Sequence, residues 1–111
     1  MPDQAIVKLV REFLRKVEQA GIPVWAGILY GSHARGDARS DSDIDLLVVS
    51  ANARLKHPAS DSELLWGLRR DVDYRIEPIL VGMQRWKRDT GSPLLAIARA
   101  EGHVVSIDRK P

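Results

Sequence analysis

The sequence predicts an α/β or α+β domain, a sheet covered by helices. Helical and strand-like periods alternate along the chain in the order αβαβαβαβ. The 111 residues form one domain, 1–111, long enough to bury an apolar core. Hydrophobic content of 44% and charged content of 29% are those of an ordinary globular chain, with no repeat or linker to divide it.

Residues 4–20 read as an amphipathic helix. Ile6, Val10, Phe13, Leu14 and Val17 form one stripe, with Lys8, Arg11, Arg15 and Glu18 off it. Asp3 can cap its start and Gly21 its end. Residues 23–30 read as a buried strand, and Ser32 to Asp37 as a short helix. A strand over 43–50 and a loop over 51–59 follow. Ser60 and Glu63 match a capping box, and Leu64, Leu65 and Leu68 make a helical stripe. A third strand is predicted over 72–81. Ser92-Pro93 opens a last helix that stops at Gly102, and residues 103–107 form a final short strand.

The chemistry concentrates between the first two strands. Gly31-Ser32 is followed, ten residues later, by Asp43-Ile44-Asp45 and then Leu46-Leu47-Val48-Val49. Residues i and i+2 of a strand share a face, so Asp43 and Asp45 project together while Ile44 and Leu46 are buried opposite. Two carboxylates that close repel, and a hard divalent cation such as Mg²⁺ or Mn²⁺ relieves the conflict. A bare Asp-x-Asp usually does no more than open a strand. Gly31-Ser32 changes the balance: glycine lets the backbone turn sharply and a phosphate approach, and the serine offers a hydroxyl. Arg35 and Arg39 add positive charge that favours polyphosphate.

Two rival motifs fail. Gly31 and Gly36 have Walker A spacing, but Asp37 and Ala38 stand where that loop needs Lys and Ser or Thr. Asp41, Asp43 and Asp45 imitate an EF-hand loop, but Leu46 and Asn52 occupy its glycine and glutamate places.

The run from Gly31 to Leu46 resembles the signature of the DNA-polymerase-β-like nucleotidyltransferases, and most closely their minimal form. The specific match spans residues 29–50. The resemblance implies a small mixed sheet with helices on one face. It implies Gly31 and Ser32 on the β- and γ-phosphates of ATP or another nucleoside triphosphate, and Asp43 and Asp45 on two Mg²⁺ ions. It also implies transfer of a nucleoside monophosphate to a hydroxyl, with release of pyrophosphate. A third carboxylate is implied on the strand after the middle helix, as metal ligand and base. Glu77 and Asp73 are the candidates. Glu77 is preferred, as an acid set among Ile76, Pro78, Ile79 and Leu80 where burial otherwise disfavours one; Asp73, beside Asp71, reads as solvent-facing.

Larger relatives of that family complete the cleft with a second domain; here a second copy or a separate helical protein is expected to complete it. Minimal nucleotidyltransferases are often paired, as antitoxin, with a helical HEPN (higher eukaryotes and prokaryotes nucleotide-binding) toxin, and some modify it with AMP. The competing reading is a non-catalytic, nucleotide-binding antitoxin that works by covering its partner. Trp86, in the basic segment 84–88, is a candidate contact. His33 reads as a surface turn residue.

Other features exclude more than they assign. With no cysteine, neither a disulfide framework nor a thiolate metal site can form, which fits a cytoplasmic protein. No apolar run reaches membrane-spanning length and no signal peptide is visible. A net charge of +2 gives no reason to expect direct nucleic-acid binding.

Overall fold

In a computed structural model that describes residues 2–107, helices and strands alternate as α1 (Gln4–Gln19), β1 (Val24–Tyr30), α2 (Ser32–Arg35), β2 (Ile44–Ser50), α3 (Pro58–Leu68), β3 (Ile76–Val81), α4 (Met83–Arg88), α5 (Pro93–Glu101) and β4 (His103–Val105). The four strands form one mixed sheet in the order β3-β2-β1-β4. β1 runs antiparallel to β2 and β4, and β2 runs parallel to β3.

Three of the longer helices start from a local cause. Asp3 accepts a hydrogen bond from the Ala5 N–H at 2.8 Å and caps α1. The predicted stripe is the face that α1 buries, with Val7 added. Ser92 caps α5 through the Leu95 N–H at 3.3 Å. The predicted capping box does not form. α3 starts three residues earlier, with His57 at the cap position and Pro58 in its first turn, and the Ser60 hydroxyl donates to the His57 carbonyl at 3.4 Å. Proline's fixed φ suits that position.

The third strand is shorter than expected. Asp73 accepts hydrogen bonds from both the Arg75 backbone N–H and its guanidinium, and the Asp73 N–H donates to the Arg69 carbonyl at 2.8 Å. Residues 72–75 therefore close a turn, and extended structure begins at Ile76. Helix α4 was not expected, because Gln84-Arg85-Trp86-Lys87-Arg88 carries no apolar stripe. Its first turn is held from outside, where the Met83 and Gln84 N–H groups donate to the Asn52 and Ala53 carbonyls.

The larger core cluster joins α1 and α3 to one face of the sheet, through Ile44, Leu46, Val48, Ile76 and Leu80. The family resemblance implied helices on one face only. The opposite face is covered too: Ile28, Leu47, Val49 and Val81 pack against Leu95 and Ala98 of α5, with Met83 and Trp86 of α4 alongside. The near-continuous apolar runs of β1 and β2 suit strands buried on both sides.

At the outer edge lies β3. The Ile44 N–H donates to the Arg75 carbonyl, so the backbone groups of 75, 77 and 79 face β2, and those of 76, 78 and 80 face away. The Ile76 carbonyl accepts from the Arg69 guanidinium at 3.1 Å. Pro78, which has no N–H, sits where an edge strand tolerates it.

Candidate active site

The functional residues gather where the apolar ladder of the sheet ends. Tyr30, the last residue of β1, lies opposite Asp45 on β2, and Asp45 lies beside Glu77 on β3. Strand alternation puts all three on the α5 side of the sheet, in line with Leu47 and Val49. Asp43, two residues before Asp45, shares that side. Ile44 and Leu46 are fully buried opposite, in the larger core cluster.

Gly31 turns the chain out of β1 with φ +76° and ψ −154°, a conformation that is essentially glycine's alone. A β-carbon there would also meet Oδ2 of Asp45. The turn and the carboxylate thus fit together because position 31 carries no side chain. Ser32 opens α2 directly after. An open cleft of about 410 Å³ is lined by Gly31, Ser32, Arg35, Asp43, Asp45 and Glu101, among others. Two larger hollows, of about 460 and 510 Å³, lie elsewhere and hold no paired strand carboxylates. Chemistry, not size, marks the site.

The acids perturb one another. Burial pushes the Asp45 carboxyl above the ordinary carboxylate range, and the Asp43 charge adds to it; His33 and Arg35 oppose. Burial also raises Glu77, helped by the charge of Asp43, a hydrogen bond with Asp43 and the charge of Asp45, with Arg69 opposing. The Tyr30 phenol is pushed up to about 12, first by burial and then by Asp45 and Glu77. Such a cluster of mutually repelling oxygen donors is what a hard cation relieves, so the donor set fits Mg²⁺. Among the described residues no three His, Asp or Glu side chains already converge on one ion position. The fit rests on the donors and their repulsion.

Every expected site residue except Glu77 lines the cleft; Glu77 sits behind it, against Asp43 and Asp45. Arg75, two residues before Glu77, is paired with Asp73 at 2.9 Å rather than with Glu77, and that pairing holds the Asp73 carboxyl below its usual range. Asp73 lies in the turn before β3 rather than on the strand.

His33 is buried, not a surface residue. Its Nε2 lies 3.2 Å from the Ser42 carbonyl, which can only accept, so Nε2 donates. Ser42 Oγ accepts from the Arg39 N–H at 2.8 Å, and Arg75 donates to the Ser40 carbonyl at 3.0 Å. These bonds tie the loop between Gly31-Ser32 and Asp43 into one frame. Trp86 is half-buried against the second core cluster, with the Arg99 guanidinium 5.0 Å from its ring, and is not a free contact.

Sequence reasoning missed Glu101. It accepts from the Gly31 N–H at 3.0 Å and from Arg35 at 3.2 Å. The signal was there: an acid in the last turn of a helix opposes the helix dipole and needs a local partner.

The Gly31-Ser32 turn and the paired strand carboxylates share one cleft, and the chain belongs to the nucleotidyltransferase domain family, whose model matches residues 7–95. Over 100 residues it is 33% identical to the "Putative protein adenylyltransferase MJ1305" of Methanocaldococcus jannaschii, a match covering 86% of this chain and 67% of that one. The fold is shared with the crystal structure of "a putative nucleotidyltransferase from Sulfolobus solfataricus" at TM-score 0.59 and 20% identity, over 88% of this chain and 77% of that one. It is also shared with a toxin–antitoxin crystal structure with AMP-PNP, at TM-score 0.52 and 19% identity, over 89% and 74%.

Proposed function

We propose that this nucleotidyltransferase is Mg²⁺-dependent and moves AMP from ATP to a hydroxyl of a protein acceptor, a helical HEPN-type partner, in the cytoplasm. The observation that carries the reading is the convergence of Gly31-Ser32 and the Asp43/Asp45 pair on one cleft. The choice of AMP and of a protein acceptor is supported by the adenylyltransferase relative and by the toxin–antitoxin neighbour with AMP-PNP.

In this reading the Gly31 N–H and the Ser32 hydroxyl donate to the β- and γ-phosphates, and Arg35 offsets their charge. Asp43, Asp45 and Glu77 hold the metal. When bound, Mg²⁺ supplies polarisation of the phosphoryl oxygens and neutralisation of the leaving charge. Glu77, set against Asp43 and Asp45, takes the proton of the attacking hydroxyl. The acceptor oxygen bonds to the α-phosphorus as the bond to pyrophosphate breaks. An intact set of carboxylates favours catalysis over a module that only binds.

The test is incubation with labelled ATP, CTP, GTP or UTP, Mg²⁺ and host lysate. Label from ATP on a small protein, dependent on Asp45, is expected. No labelled product from any nucleotide would overturn the transferase reading in favour of a binding module, and label confined to a free small molecule would overturn the protein acceptor.

A further inference from the structure

The donors assigned to the triphosphate are already engaged by an anion of the chain itself. Glu101 Oε1 lies 3.0 Å from the Gly31 N–H and 3.2 Å from Arg35 Nη1, and Oε2 lies 3.3 Å from that same nitrogen. Glu101 lines the same cleft as Ser32, Asp43 and Asp45.

The placement is built in. α5 is anchored to the sheet by Leu95 and Ala98. Gly102 ends it so tightly that a β-carbon there would meet the Ala98 carbonyl and the Ile28 side chain. That contact fixes where Glu101 leaves the helix. Its position in the last turn is otherwise unfavourable, because the helix dipole there is negative. The Gly31 N–H and Arg35 compensate, and those are the groups a phosphate would use.

We propose that Glu101 is an internal occupant of the phosphate turn, which the triphosphate must displace, so that this carboxylate sets how tightly the site takes its nucleotide. The inference rests on the nucleotide-site reading above. A phosphate sharing the Gly31 N–H with Glu101 would weaken both bonds, and a carboxylate beside an arriving triphosphate repels it. Binding therefore requires Glu101 to swing away and Arg35 to exchange partners. The device deepens selectivity: a ligand must carry enough negative charge to compete, which a triphosphate does and a nucleoside does not.

Calorimetric titration of the full chain with AMP-PNP and Mg²⁺ tests it, alongside inorganic triphosphate as a probe without a base. Glu101→Ala is expected to bind both about tenfold more tightly than the unaltered protein, with Glu101→Gln between them. The Gly31 amide resonance should shift in ligand-free Glu101→Ala, showing that the contact exists in solution. Equal or weaker binding by both variants would overturn the proposal while leaving the nucleotide site standing. Failure of all three proteins to bind either probe would overturn the nucleotide-site reading, and this proposal with it.

Discussion

Replacing Gly31 with alanine should damage the protein in two separable ways. The backbone at position 31 holds φ +76° and ψ −154°, which an L-residue adopts at a cost of about 1–3 kcal/mol. A loss of that size lowers the melting temperature by roughly 4–20 °C for a domain of this length. The second effect is contact: the new methyl group meets Asp45 Oδ2, while the Asp45 β-carbon lies at an ordinary 3.4 Å. The carboxylate must rotate away, so Mg²⁺-nucleotide binding should fall with stability. A double-mutant cycle separates the two. In an Asp45→Ala background the obstructing oxygen is gone, and Gly31→Ala should then cost only its backbone part. Thermal unfolding of the four proteins measures the coupling, and AMP-PNP calorimetry on the single variant measures the site. If Gly31→Ala melts within a degree of the parent and binds equally well, the turn geometry argued here is wrong. If the cycle shows no coupling, the contact with Asp45 is wrong.

Other expectations follow from the same residues. Asp45 and Glu77 have raised pKa values in the folded state, so the folded chain binds more protons than the unfolded one; metal-free stability should fall as pH rises through the window above the ordinary carboxylate values. Chemical denaturation across pH should show that fall, and Asp45→Asn should flatten it while abolishing transfer. Asp73 behaves oppositely: its lowered pKa gives stability that is present above the ordinary value and lost as pH drops. Glu77→Gln should cut turnover far more than nucleotide affinity, whereas Asp73→Asn should leave turnover nearly intact and cost about 1 kcal/mol of stability; reversed kinetics would move the base to Asp73. Ser32→Ala should weaken nucleotide binding by about 1 kcal/mol, near fivefold, by calorimetry.

What the sequence made legible was whatever a short-range period carries. The α1 stripe, the shared face of Asp43 and Asp45, and the burial of Ile44 and Leu46 all follow from spacing alone. Glu77 could be placed because an acid inside an apolar run is conspicuous at any register. Long-range contacts were not legible. Helix α4 depends on the Asn52 and Ala53 carbonyls, far earlier in the chain, and no local pattern announces that. The start of β3 is set by the Asp73–Arg75 pair, which breaks an alternation that otherwise looks continuous from Val72. His33 is buried only because Ser42 returns to it. Glu101 reaches Gly31 across seventy residues, so its role belongs to the assembled sheet.

The outer edge of β3 has a consequence for what this protein can join. A guest strand laid along it would look for backbone partners at 76, 78 and 80. The Ile76 carbonyl is already taken by Arg69, and its N–H is used by the Asp73 carbonyl. Pro78 offers no donor at all. One rung is therefore taken and the next has lost its donor, which weakens any sheet extension across this border. At the other border β4 spans only three residues, and the carbonyl of the next residue, Ser106, is held by Arg11. Neither border invites the ladder-on-ladder growth that begins aggregation. Assembly through side chains, on helix faces or at the mouth of the cleft, can be dissolved by substitutions that leave the sheet untouched.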